Sequence, residues 1–356
     1  VRWRWIAAGV VGVLLVGAGI GTYLYGDEYG WWADPSVSDA PEAEPASVET
    51  VVSGLHVPFD LAFLPDGSAL VTERVTGELR RAHPDGTLTD VRTIDEIAVQ
   101  GAEQAGLQGI AVSPSYERDG WIYLYFTTED DSRVVRTRLA DDAPLEPIVT
   151  GIPRGDIHNG GRIRFGPDGM LYITTGEAGF VPERAQDPDD LGGKILRVTP
   201  DGDAAPGNPV EGSPVYASGW RDPQGLAWDD EGRLYASEFG HNSLDELNLV
   251  MPGGNYGWPE TEGPSDDLGM VNPLATWKPA DASPSGMTFH DGQLWIACLR
   301  GERLYRINTD GTGAEQLLAG EYGRLRLVTE APDGSLWVLT NNREGPEHDL
   351  ILRVTP

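Results

Sequence analysis

The chain has 356 residues, 56 of them acidic and 26 basic, for a formal net charge of −30. So negative a surface repels nucleic acid and anionic lipid, and its acids are spread along the whole chain, as in a protein built for very high salt, where screening cancels self-repulsion. Cys298 is the only cysteine, which excludes an internal disulfide, a zinc–thiolate cluster and an iron–sulfur centre.

The first element in chain order is apolar. Residues 5–26 carry no charge; about 20 apolar residues span a bilayer core, whereas the apolar region of a secretory signal is usually about 7–15. Arg2 and Arg4 precede the run and Asp27 and Glu28 follow it, so the positive-inside rule places the N-terminus in the cytoplasm and the body outside. Trp3, Trp5, Tyr23 and Tyr25 stand where interfacial aromatics belong. Residues 1–26 are expected as a single transmembrane signal anchor, with the rest of the chain on the outer face of the cell membrane, or secreted if the segment is cleaved. Residues 27–50 are acidic and rich in Pro, Ala and Ser, with too little apolar surface to fold, and are expected as an extended linker.

From residue 51 to residue 356 one pattern recurs: an apolar residue, a Pro/Asp-Gly turn (Glu231-Gly232 in one copy), then an alternating apolar strand. Phe63–Val71 (FLPDGSALV), Phe165–Ile173 (FGPDGMLYI), Trp228–Ala236 (WDDEGRLYA), Phe289–Ile296 (FHDGQLWI) and Ala331–Val338 (APDGSLWV) are clear copies. A looser copy runs from Val112 through Asp119-Gly120 to Tyr125. Asp-Gly between apolar runs is a hairpin signal, because glycine takes a positive φ cheaply. The turn glycines at 67, 120, 169, 232, 292 and 334 are spaced by 53, 49, 63, 60 and 42 residues. Several strands per repeat of that length predict an all-β, six-bladed β-propeller as one domain, with a pair of β-sandwiches as the alternative. Leu350–Val354 lacks a following turn and is expected to close the ring against the first strand after Thr50. Cys298 follows the apolar run Leu294–Ala297 and reads as a small buried strand residue.

Propellers carry function on the loops at one mouth of the central channel. The first such loop holds Asp156-Ile157-His158-Asn159-Gly160-Gly161-Arg162; a strand out and back from it could place Glu177 beside His158, orienting and basifying the imidazole. The second holds Trp220-Arg221-Asp222-Pro223-Gln224-Gly225, where Arg221 suits an anion or oxyanion clamp. The third, Glu238–Glu246 followed by Gly253–Pro259, offers carbonyls and carboxylates to a hard cation such as Ca²⁺, or is simply an acidic solvated loop. Arg300, Arg324 and Arg326 lie at corresponding strand ends, and in so acidic a chain they suggest a polyanionic ligand.

The segments EQAGLQG (Glu103–Gly109), HNGGR (His158–Arg162), RDPQG (Arg221–Gly225) and GGNYGWP (Gly253–Pro259) fall in order between about Val51 and Pro356. Together they resemble the soluble pyrroloquinoline-quinone (PQQ)-dependent aldose dehydrogenases, the glucose/sorbosone dehydrogenase family. The resemblance implies oxidation of an aldose at C1 to its lactone, with PQQ and Ca²⁺ as cofactors and an unidentified electron acceptor. It implies that His158 is the base, Glu177 its partner (Asp in the best-known members), and Arg221 the residue at the quinone C5 oxygen and the sugar. The carbonyls of Gly240 and His241 match the calcium seat, Asp222, Arg300, Arg324 and Arg326 the PQQ contacts, and Gln104, Tyr256 and Trp258 the sugar side. Two departures stand out: the family usually has Asn where this chain has Asp222, and Arg300 replaces a lysine of some members. A calcium-dependent lactonase-like hydrolase and a non-catalytic binding propeller are the other readings, and homodimer formation is left open.

Overall fold

The computed structural model of the chain describes residues 36–98, 104–140, 143–179, 181–342 and 348–356. The transmembrane helix expected over residues 1–26 lies outside these; among the described residues no helix is long and apolar enough to cross a membrane.

The described residues form six four-stranded antiparallel sheets. Blade one is β2–β5 (Pro58–Phe63, Ala69–Glu73, Glu78–Ala82, Leu88–Thr93), and blade two is β6–β9 (Leu107–Val112, Ile122–Thr127, Ser132–Thr137, Glu146–Ile152). Blade three is β10–β13 (Ile163–Phe165, Leu171–Thr175, Lys194–Val198, Val215–Ser218), and blade four is β14–β17 (Pro223–Trp228, Leu234–Glu238, Asp245–Val250, Ala275–Trp277). Blade five is β18–β21 (Pro284–His290, Gln293–Cys298, Arg303–Asn308, Glu315–Leu317). Blade six takes β22–β24 (Leu325–Glu330, Leu336–Thr340, Asp349–Thr355) and receives β1 (Ser47–Leu55) as its fourth strand, so both ends of the propeller share one sheet. The expected closure is what locks the ring.

The turn motif explains the hairpins. In Asp66, Asp168 and Asp333 the carboxylate accepts the amide two residues on, at 3.0 Å, which holds the tight turn before the second strand of the blade. The looser copy in blade two replaces this turn with one turn of helix, α1 (Tyr116–Asp119), ended by Gly120 at φ +66°.

Six apolar clusters hold the blades, and each draws on two neighbours. Leu70 and Leu79 of blade one pack with Leu124 and Phe126 of blade two, for example, while Trp337 of blade six meets Phe63 of blade one edge-on at 5.0 Å. Cys298 is fully buried in the cluster between blades four and five. At the axis the contact is ionic: Asp60 of β2 receives Arg162 at 2.5 Å and Arg164 at 2.7 Å from blade three, and the Ile110 amide of blade two at 3.1 Å. Burial alone would push the Asp60 carboxyl up, but the two guanidinium groups hold it below 3.8.

The linker expectation needs correcting at its C-terminal half. From Ser36 the chain lies along the outer edges of blades four and five, pairing Ser36 with Thr276 and Glu42 with Gln316 in parallel, before β1 begins at Ser47. Val37 donates to the Thr276 carbonyl at 2.9 Å and Ala43 to that of Gln316 at 2.8 Å. Main-chain pairing at an open sheet edge requires no apolar side chain, so composition alone does not reveal it.

Candidate active site

At one mouth of the ring the loops enclose a cavity of about 470 Å³. Among the described residues its charged lining is Arg74, Arg221, Arg300, Arg324 and Arg326 against one carboxylate, Asp245. Gln104, His158, Gly240 and His241 share that lining.

His158 stands on the loop before β10 with φ +57°, a left-handed conformation that a non-glycine residue keeps only under constraint. The constraints surround it. Its amide donates to the Gln104 side-chain carbonyl at 2.7 Å, and its carbonyl accepts from Ala178 at 3.0 Å. Gly160 donates to Asp222 at 2.9 Å, and Tyr125 donates its hydroxyl to the Asn159 carbonyl at 2.9 Å. Glycine is required where β11 passes under this turn: a Cβ on Gly176 would stand 1.9 Å from the His158 carbonyl oxygen.

The ring nitrogens of His158 have distinct partners. Nε2 lies 2.7 Å from an Arg221 guanidinium nitrogen, and Nδ1 lies 2.6 Å from Glu177 Oε1. A guanidinium only donates, so Nε2 presents its lone pair and Nδ1 carries the hydrogen that Glu177 accepts. The result is a base facing the cavity with a carboxylate behind it. Glu177 itself is buried and stands outside the cavity lining, as an orienting partner should.

Arg221 follows Trp220 at the entry to β14. Its amide donates to the buried Glu238 carboxylate, and its guanidinium donates to the carbonyls of Phe239 at 3.0 Å and Gly240 at 2.6 Å while lying 5.5 Å over the Trp258 ring. Asp245 fixes the same loop from below, accepting from Gly240 at 2.9 Å and Ser283 at 2.7 Å; burial pushes its carboxyl up to about 7. Burial, with Glu246 close by, holds the Glu238 carboxyl well above its ordinary value. Arg326 donates to Gln224 of β14 at 2.9 Å and stacks 3.9 Å over Phe59, with Arg324 just before the strand that carries Arg326.

Two expected contacts take other places. Asp222 is fully buried beneath the His158 turn, where one carboxylate oxygen accepts from Gly160 and from Gln224 at 2.9 Å, so it props the base loop and does not line the cavity. Burial raises its carboxyl above 3.8. Tyr256 is a core residue: its ring stacks on Trp220 at 4.0 Å and its hydroxyl donates to Leu249 at 2.7 Å. Trp258 borders a small cleft beside the main cavity, next to Arg221 and Gly240.

Arg74 and Asn341 line the cavity and were not anticipated. Each follows directly on the second strand of its blade, as Phe239 does in blade four, and Arg300 comes two residues past the second strand of blade five. The stagger that singled out Arg300 would have found both.

The family model described as glucose/sorbosone dehydrogenase matches residues 55–353. Quinoprotein glucose dehydrogenase B of Acinetobacter calcoaceticus is 32% identical over 273 residues, covering 67% of this chain and 57% of that protein's length. The aldose sugar dehydrogenase YliI of Escherichia coli K12 is 29% identical over 365 aligned positions, 90% of this chain and 96% of its own. Among solved structures, the PQQ-bound form of aldose sugar dehydrogenase from Streptomyces coelicolor superposes with a TM-score of 0.82 at 46% identity, covering 88% of this chain and all of that one.

Proposed function

The chain belongs to the glucose/sorbosone dehydrogenase family, and from that premise we propose that it oxidises an aldose at C1 to the lactone, using PQQ with a calcium ion beside it. The lining suits both groups. Five guanidinium groups on one cavity, in a chain of net charge −30, fit a ligand with three carboxylates, and Arg300, Arg324 and Arg326 would hold them. The Gly240 carbonyl, at the cavity with His241 next along, would hold a divalent ion in exchange for its present bond from the Arg221 guanidinium.

When bound, the quinone accepts the hydride leaving C1, and calcium polarises its carbonyl as a Lewis acid. The protein's own part is proton handling and orientation. The Nε2 lone pair of His158 takes the proton of the C1 hydroxyl as the C1 hydrogen departs with two electrons and C1–O becomes a carbonyl. Glu177 steadies the imidazolium that forms, through the Nδ1 hydrogen it already accepts. Arg221, whose guanidinium meets the same Nε2, brings its positive charge to the oxygen on which negative charge grows. Gln104, tied through its carbonyl oxygen to the His158 amide, keeps its NH₂ for a sugar hydroxyl.

What carries this reading is the Glu177–His158–Arg221 alignment, at 2.6 and 2.7 Å, opening onto an arginine-lined cavity. A lactonase-like hydrolase would need carboxylate side chains gathered on a metal, and among the described residues no three His, Cys, Asp or Glu side chains are grouped to hold one. A non-catalytic propeller would lean on Asp222, the departure from the family's usual Asn, and that residue props the loop of the base. The N-terminal run with Arg2 and Arg4 before it argues for a propeller held outside the cytoplasm.

The direct assay adds PQQ and Ca²⁺ to the purified protein in high salt and follows dye reduction with a panel of aldoses. Turnover dependent on both additions is expected. Absent turnover with no change in the quinone spectrum defeats the proposal, and lactone hydrolysis without quinone transfers support to the hydrolase.

A further inference from the structure

The chain uses only two lysines, Lys194 and Lys278, among 26 basic residues. Lys194 opens β12 of blade three and is fully buried. Its ammonium donates to three main-chain carbonyls, those of Arg184 at 2.6 Å, Gly192 at 2.8 Å and Ala185 at 3.2 Å. Three convergent carbonyls suit a compact ammonium with three divergent N–H bonds, not a planar guanidinium. A buried cation must be satisfied in this way, and here it is satisfied by the loop between β11 and β12.

That loop reaches the catalytic arginine along two routes. The Ala185 carbonyl that Lys194 holds also accepts the Gly219 amide at 2.9 Å, and the Gly193 carbonyl accepts the Trp220 amide at 3.2 Å, which fixes the approach to Arg221. On the other side, Gln186 exchanges amide hydrogen bonds with Asn255 at 3.0 and 2.7 Å and donates to the Trp258 carbonyl at 2.7 Å. Trp258 is the ring beneath the Arg221 guanidinium. We propose that Lys194 is a positioning residue for catalysis, an internal ammonium that ties the 184–192 loop so that the loop fixes Arg221 from its main chain and from its indole neighbour. This rests on the dehydrogenase reading for its kinetic consequence and on the structure alone for its mechanical one.

Two variants and two readouts test it. In Lys194→Met, hydrogen exchange should rise about tenfold or more in peptides covering residues 219–222 and 254–259, outside blade three's own strands. Gln186→Ala, a half-buried change at the far end of the chain of contacts, should raise exchange at 254–259 with little loss of Tm. With PQQ and Ca²⁺, kcat per folded molecule should fall about tenfold in Lys194→Met, while cofactor affinity, carried by Arg300, Arg324 and Arg326, stays within about threefold. Exchange confined to blade three, with kcat per folded molecule unchanged, reduces Lys194 to a structural residue and overturns the proposal. If the wild-type protein fails to turn over sugars, the dehydrogenase reading fails, while the exchange result still decides whether Lys194 ties the loop to Arg221.

Discussion

A base is useful only if its lone pair faces the proton it must take, and at His158 that orientation is fixed by what the neighbours can and cannot do. Arg221 has no acceptor, so it selects the tautomer, and Glu177 then receives the remaining N–H at 2.6 Å. Replacing His158 with Ala should lower kcat by about 10³-fold or more with the quinone still bound, checked by dye reduction alongside an absorbance titration of the cofactor. Asp222 gives a second residue-level outcome. Its raised pKa means the folded protein binds its proton more tightly than the unfolded chain, so the carboxylate costs stability as pH rises above about 3.8. Asp222→Asn keeps the oxygen that accepts from Gly160 and should raise Tm at pH 7 by about 1–3 °C, a gain that vanishes near pH 4; an unchanged or lower Tm at pH 7 contradicts the burial argument. His158, Glu177 and Arg221 were readable because polar residues in glycine-rich loops between apolar strands are conspicuous. Lys194, Asp60 and the core position of Tyr256 were not: the guanidinium partners of Asp60 stand about a hundred positions along the chain, and Lys194 and Tyr256 bond main-chain carbonyls, which leave no side-chain pattern.

At the level of elements, the Asp-Gly turns announced the hairpins because a turn's chemistry is local: a carboxylate two residues before the amide it accepts, and a glycine free to take positive φ. The strap over residues 36–46 was hidden for the opposite reason. Its composition is that of a disordered linker, yet its main chain pairs with Thr276 and Gln316 while Val37, Ala40 and Ala43 pack on the neighbouring apolar clusters. It also supplies the Ser38 hydroxyl to the Lys278 amide at 2.9 Å and the Ala40 carbonyl to the Gln316 side chain at 2.9 Å. Removing the chain up to Ala46 should therefore lower unfolding stability by about 1–3 kcal/mol, the hydrogen bonds being partly offset by the strap's ordering entropy, with kcat unchanged because the cavity lies on other loops. Urea unfolding of the truncated and full chains checks this, and equal midpoints mean the pairing contributes nothing.

For the molecule as a whole, the ring is closed twice, by β1 joining β24 at the rim and by Asp60 joining blades one, two and three at the axis. Asp60 is held ionised, so its contribution is present above pH 3.8 and is lost as pH falls below that toward its lower folded value. Asp60→Asn leaves Arg162 buried without its counter-charge and should cost about 3–5 kcal/mol at neutral pH, read from chemical denaturation. Six blades could be read from six turns, whereas the axial ion pairs join residues about a hundred positions apart and leave no pattern in the sequence. The central claim, that this ring presents a base and a wall of arginines to a quinone and a sugar, is tested most directly by anaerobic absorbance titration. Adding PQQ with Ca²⁺ should show saturable one-to-one binding, and an aldose should then bleach the oxidised quinone while its C1-blocked methyl glycoside does not. Failure of the quinone to bind, or equal bleaching by the blocked glycoside, contradicts it.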